Sequence, residues 1–216
     1  MPLLRPHGTT YTKAEEFAHA ASHGVGALLA VLTLPALVVL ATARRDPWHV
    51  AGVSVFGLSM LVLYGASTLY HAAQHPQRKA RWRRFDHAAI YVLIAGTYTP
   101  FLLGVLRGPL GWTMLALQWA IAAAGVWFKL RRGAEGRLPS TLLYLAMGWM
   151  AAFAVRPLAA AVGPTGMAWL VAGGLCYTGG VAFYVSKRVR FAHFVWHLCV
   201  LAGTACHAVA VVRFAA

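Results

Sequence analysis

The sequence predicts an all-α membrane protein with seven transmembrane helices, a cytoplasmic N-terminus and an external C-terminus. Its apolar composition, the number of its long apolar runs and the uneven spread of Lys and Arg between them carry that expectation. Of the 216 residues, 60% are hydrophobic and 11% charged, and the mean hydropathy is +0.63. A soluble domain of this length needs a polar exterior that so few charges do not provide. The formal net charge is +14. Its basic residues form short clusters between apolar runs rather than one stripe, which argues for cytoplasmic loops and against nucleic acid as a partner.

At roughly 20 apolar residues per span, the chain accommodates seven, at 17–42, 48–74, 86–106, 109–129, 139–161, 165–186 and 191–213. Residues 1–16 form a cytoplasmic tail and 17–216 the membrane domain. The start of the chain lacks a small-residue cleavage pattern, so the first span is expected to be retained. Pro47, Pro76, Pro109, Pro139 and Pro164 punctuate span boundaries, where a missing N–H costs least. Pro35, Pro100 and Pro157 fall inside spans and predict kinks. Cys176, Cys199 and Cys206 lie in apolar runs without C-x-x-C pairing and read as small buried hydrophobes. No internal repeat and no soluble domain is apparent.

Orientation follows from the loops. Arg5, Lys13, the basic residues of Arg78–Arg84, Lys129–Arg137 and Lys187–Arg190 place fourteen Lys and Arg on one side. Arg44, Arg45, Arg107, Arg156 and Arg213 leave five on the other. The positive-inside rule then puts the N-terminus in the cytoplasm and the C-terminus outside.

Seven of the ten histidines fall into one layer of this topology, at the cytoplasmic ends of four helices. They are His19 and His23, His71 and His75, His87 beside Asp86, and His193 and His197. Ionisable groups within spans are expensive and mark functional sites. Three pairs have H-x3-H spacing, which puts both imidazoles on one helix face within reach of one metal ion. Imidazole suits zinc, and three protein ligands with a water describe a catalytic site. Spacing alone leaves seven candidates for three ligand positions. Asp86 reads either as an acid beside the metal or as an ion-pair partner of Arg81, Arg83 and Arg84. Ser67 reads either as a site hydroxyl or as a helix-backbone hydrogen bonder. His49, His75, His87 and His207 read as packing or interfacial groups.

Ser67-Thr68-Leu69-Tyr70-His71, Phe85-Asp86-His87-Ala88-Ala89-Ile90-Tyr91, Ala95-Gly96-Thr97-Tyr98-Thr99-Pro100 and His193-Phe194-Val195-Trp196-His197 resemble the motifs of the hemolysin III family. That family is the bacterial branch of the progestin and adipoQ receptors and is related to the alkaline ceramidases. Glu16 with Ser22-His23-Gly24 resembles its first motif, in which His19 stands where Asn is usual. The resemblance runs from Glu16 to His207. It implies zinc ligands at His71, His193 and His197, and Asp86 as the acid that holds the water at the zinc. Ser67 matches the motif serine, one turn deeper than His71. Glu16, His19 and His23 stand around them as hydrogen-bonding partners.

The function so implied is that of a zinc-dependent hydrolase of amide or ester bonds in membrane lipids, in the bacterial cytoplasmic membrane. The alternative is a non-enzymatic sensor of membrane state with a structural zinc. A secreted cytolysin, which the family name invites, needs a soluble form that this composition does not offer.

Overall fold

The computed structural model describes residues 11–133, 137–186 and 189–215, and all regular structure among them is helical. The helices are α1 (Lys13–Thr42), α2 (Pro47–Ala72), α3 (Pro76–Leu103), α4 (Pro109–Arg132), α5 (Arg137–Gly148), a 3₁₀ turn at Met150–Ala154, α6 (Val155–Val185) and α7 (Ala192–Phe214). Arg5, Lys187 and Arg188, three of the loop charges counted above, lie outside the described residues.

The helix starts follow from local chemistry. Thr12 and Glu15 form a reciprocal capping box at α1, satisfying two otherwise unpaired backbone N–H groups. Asp46 caps α2 by accepting from Trp48 N at 3.0 Å and pairs with Arg107 at 2.7 Å. It thereby ties the start of α2 to the α3–α4 connection. Pro47, Pro76 and Pro109 each open a helix, where proline's fixed φ is already helical.

Among the described residues, five segments are long and apolar enough to cross a membrane: Lys13–Thr42, Pro47–Ala72, Pro109–Arg132, Leu138–Val185 and Ala192–Phe214. The fourth is 48 residues long, more than twice the ~20 that one crossing needs. α3 falls short of this standard because its first turns are basic, Asp86 and His87 open its apolar stretch, and Thr97, Tyr98, Thr99 and Pro100 dilute it. The exterior of the bundle is apolar, with Phe153 86% and Phe17 75% exposed, whereas His19, Ser67, Asp86 and Gln118 are buried. This inverted distribution needs lipid as the surrounding solvent. The chain is a polytopic helical membrane protein.

Two boundaries differ from the sequence expectation. The loop expected at Pro76–Arg84 is helical and forms the first turns of α3, because Gln, Lys, Arg and Ala are good helix formers behind a leading proline. The continuous helix expected at 139–161 is interrupted. The Tyr98 hydroxyl donates to Gly148 O at 2.6 Å and accepts from Ala151 N at 2.9 Å. Gln118 Nε2 donates to Met147 O at 2.9 Å. These side chains take backbone groups from the helical ladder, and the chain tightens into the 3₁₀ turn. Pro157, expected to kink a span, falls in the first turn of α6 just after this break. The break expected at Gly163–Pro164 is present: Gly163, at φ +65° and ψ −177°, is non-helical, and two helical segments meet at this kink inside α6.

α1 packs against both α2 and α7, α2 packs on α3, α3 on α4, and α6 on α7. The first and last helices are therefore neighbours, which brings histidines from α1, α2 and α7 together. The α2–α3 contact is close: a Cβ at Gly52 would lie 2.8 Å from Pro100 Cα. Backbone does not yield as a side-chain tip does. Gly52→Ala is therefore expected to lower stability by about 1–3 kcal/mol, whereas Gly65→Ala, with nothing within 4 Å, should be neutral. Thermal unfolding in detergent compares the two; equal midpoints would contradict this packing.

Candidate metal centre

α2 ends at Ala72, so His71 occupies its last turn and points inward, buried. Its Nδ1–H donates to Glu16 Oε2 at 2.8 Å, and Glu16 Oε1 is paired with Lys79 Nζ at 2.9 Å. A carboxylate on Nδ1 fixes the tautomer and leaves the Nε2 lone pair available. His71 Nε2 is fully buried with no hydrogen-bond partner.

α7 supplies the second half. Phe191, at φ +58°, precedes it and donates its backbone N–H to Glu15 Oε1 at 3.2 Å, clasping the start of α7 to the start of α1. His197 Nδ1–H is shared between His19 O at 3.2 Å and Ser22 Oγ at 3.1 Å. The Ser22 hydroxyl itself donates to His19 O at 2.9 Å. With Nδ1 so engaged, His197 Nε2 is left facing His193 Nε2 at 3.1 Å.

Two imidazole nitrogens this close, with a third orphaned nitrogen beside them, fit a shared cation. Donor atoms of His71, His193 and His197 lie within 4.8 Å of one another, as do those of Glu16, His19 and His71. In a tetrahedral zinc site, nitrogens at about 2.0–2.1 Å from the ion lie roughly 3.3 Å apart. Burial, neutral tautomers held by outer partners and unpaired inward nitrogens are what a histidine metal centre requires.

The remaining sequence candidates divide. Asp86 is buried, makes none of the ion pairs seen among the described residues, and lines a cavity with Ser67, His23, His193 and His197. Ser67 Oγ is buried without a hydrogen-bond partner. His23 stacks on His197 with ring centres 3.6 Å apart and 6° between planes. His19 stands among the other three imidazoles, fully buried. The H-x3-H reading of His71 and His75 fails: α2 ends between them and His75 is the N-cap of α3, so the two do not share a helix face. His207 Nε2–H donates to Leu170 O at 3.2 Å and His49 sits 3.6 Å from Asp46; both serve packing at helix contacts.

Sequence reasoning missed two residues. Tyr11 stacks on His193 with ring centres 5.3 Å apart and meets His19 edge-on at 4.7 Å, covering the cluster from the N-terminal side. Lys79 reads from sequence only as one loop charge among several, yet it holds Glu16. The capping-box pattern at Thr12 and Glu15 fixes where the chain turns into α1, and was the available signal for Tyr11.

The cavity has a volume of about 290 Å³, near the lower end of ordinary ligand pockets. Its walls are polar at Asp86, Ser67 and the histidines, and apolar towards Leu102, Met114 and Val171. The fold and this cluster define a class: a polytopic helical membrane protein with a buried, histidine-rich centre suited to a metal ion.

The comparisons narrow the class to a family. The profile of the family described as "Haemolysin-III related" matches residues 11–208. The chain is 44% identical over 195 residues to the Hemolysin-3 homolog of Bacillus subtilis (strain 168), covering 90% of this chain and 92% of that one. It is 44% identical over 191 residues to Hemolysin-3 of Bacillus cereus, covering 88% and 87%. The Homo sapiens monocyte to macrophage differentiation factor is 29% identical over 194 residues, covering 86% and 80%. The chain belongs to the haemolysin-III-related family, the bacterial branch of the progestin and adipoQ receptor family.

Purified protein is expected to hold about one divalent metal ion per chain. His71→Ala, His193→Ala and His197→Ala should each abolish retention, and Glu16→Ala should weaken affinity by about 10–100-fold. Metal analysis of the folded variants is the check. Full retention by all three histidine variants would remove them as ligands.

Proposed function

We propose that this protein is a zinc-dependent hydrolase of amide or ester bonds in membrane lipids, working at the cytoplasmic face of the bacterial cytoplasmic membrane. The observation that carries the reading is the meeting of the histidine cluster, Asp86 and Ser67 at the polar end of an otherwise apolar cavity. Such a cavity suits a substrate with a hydrocarbon chain and one reacting carbonyl.

His71, His193 and His197 would hold the metal. Zinc bound there supplies a Lewis acid that makes water nucleophilic at neutral pH. Asp86, in the cavity wall with His193 and His197, would accept a proton from the attacking water and return it to the leaving amine or alcohol as the C–N or C–O bond breaks. The Ser67 hydroxyl, which adjoins Asp86, would donate to the carbonyl oxygen as negative charge develops on it. Glu16 and Ser22 keep the imidazoles oriented. The apolar walls exclude bulk water and take the acyl chain.

The topology of this reading is seven spans, with 138–185 crossing twice about Gly163 and α3 crossing from Asp86 onward. The N-terminus is then cytoplasmic and the C-terminus external. One observation favours a second role: His19 puts a further imidazole into the cluster, and a metal site saturated by protein suits a sensor with a structural zinc.

Asp86→Asn is expected to retain the metal and lower lipid hydrolysis by about 10²–10⁴-fold. Incubation with a membrane lipid extract, followed by mass spectrometry alongside metal analysis, measures both. Unchanged turnover would deprive the mechanism of its base. Reporter fusions at the two ends should report opposite sides of the membrane; the same side for both would refute the seven-span topology.

A further inference from the structure

His19 and His23 are the two buried imidazoles among the described residues with neither ring nitrogen hydrogen-bonded, and of the two only His19 stands between His71, His193 and His197. It is fully buried, and neither ring nitrogen has a hydrogen-bond partner. A buried imidazole with both nitrogens unpaired forfeits a donor and an acceptor at once, a cost that native structures rarely accept without a ligand.

Its surroundings say what that ligand is. The ring centre of His19 lies 4.7 Å from that of His71, 4.8 Å from His193 and 5.4 Å from His197. The other three edges are 5.2 Å for His71–His193, 5.1 Å for His71–His197 and 4.6 Å for His193–His197. Six nearly equal separations among four rings describe a tetrahedron. A regular one with edges of about 5 Å has its corners roughly 3 Å from the centre. An imidazole nitrogen projects about 1.1 Å from its ring centre, which leaves about 2 Å to the middle, the length of a zinc–imidazole bond. His23, stacked face to face on His197, is not a corner of this figure.

We propose that His19 is a fourth nitrogen ligand of the metal, closing a four-imidazole site that joins α1 to α2 and α7. The proposal rests on the zinc reading above. As placed, the nitrogens of His19 form a close donor set with Glu16 and His71 and not yet with His193 and His197. Turning its ring about Cβ–Cγ redirects the nitrogens towards His193 and His197 while the ring centre stays nearly in place. Three protein ligands leave a zinc open, whereas four close it. In this chain α1 therefore sets whether the centre is open: with His19 on the metal it is closed, and hydrolysis requires His19 to turn away.

X-ray absorption at the zinc edge on the full-length protein in detergent counts the imidazoles. The wild type is expected to show four, and His19→Ala three, with affinity in chelator competition lowered by about 10–100-fold. His19→Phe keeps a ring in the same space without a donor and should match His19→Ala, which separates ligation from packing. Three imidazoles in the wild type and in both variants would overturn the role of His19 and leave the zinc reading standing. A wild type that binds no zinc would overturn both.

Discussion

Surrounding a chain with hydrocarbon leaves its polar side chains one direction in which to go. In a soluble protein an imidazole or carboxylate turns outward to water, and the interior is left to leucine. Here the outer faces of the helices carry residues such as Phe17, Leu28 and Leu32, while His19, His23, His71, Asp86 and His197 are buried. Each inward polar group must then find a partner in the bundle or lose its hydration uncompensated. The arrangement of the centre follows from that demand. Glu16 answers His71 and Lys79, the His19 carbonyl answers His197 and Ser22, and Glu15 answers the backbone of Phe191. At the centre itself, His71 Nε2 and both nitrogens of His19 are left unanswered.

The same demand accounts for the second irregular region. Tyr98, through its hydroxyl, and Gln118, through its amide N–H, lie in the apolar part of the bundle and hydrogen-bond the backbone between Met147 and Ala151. The 3₁₀ turn that results borders the cavity, with Ala151, Ala152 and Ala154 in its wall. Small residues there leave room that a regular helix bearing larger side chains would fill. The cavity and the interrupted helix thus have one origin.

Much of this was legible in the sequence, because hydrophobicity and i, i+4 spacing are local properties. The apolar runs gave the helices, and His193 with His197 gave a shared face on α7. What is not local was not legible. The break after Gly148 depends on a tyrosine fifty residues away, so nothing between Leu138 and Val162 announces it. The spacing of His71 and His75 looks like that of His193 and His197, but a helix end falls between the first pair and not the second. Tyr11 and Lys79 reach the cluster from outside the spans, where apolar patterning carries no information. The central position of His19 needed the packing of α1 against both α2 and α7, which sequence order does not reveal.

That packing also has a consequence for biogenesis. The groups of the centre come from both extremes of the chain, and His197 follows His19 by 178 residues. At about 5–20 residues per second of synthesis, the first helix waits on the order of ten seconds or more before its last neighbour exists. Throughout that interval α1 lies in the bilayer with buried-type polar groups uncovered. A nascent chain that stalls or ends before α7 has no means of covering them. Assembly of the centre therefore waits on the synthesis of α7, and a chain interrupted before it leaves the histidines of α1 without their partners.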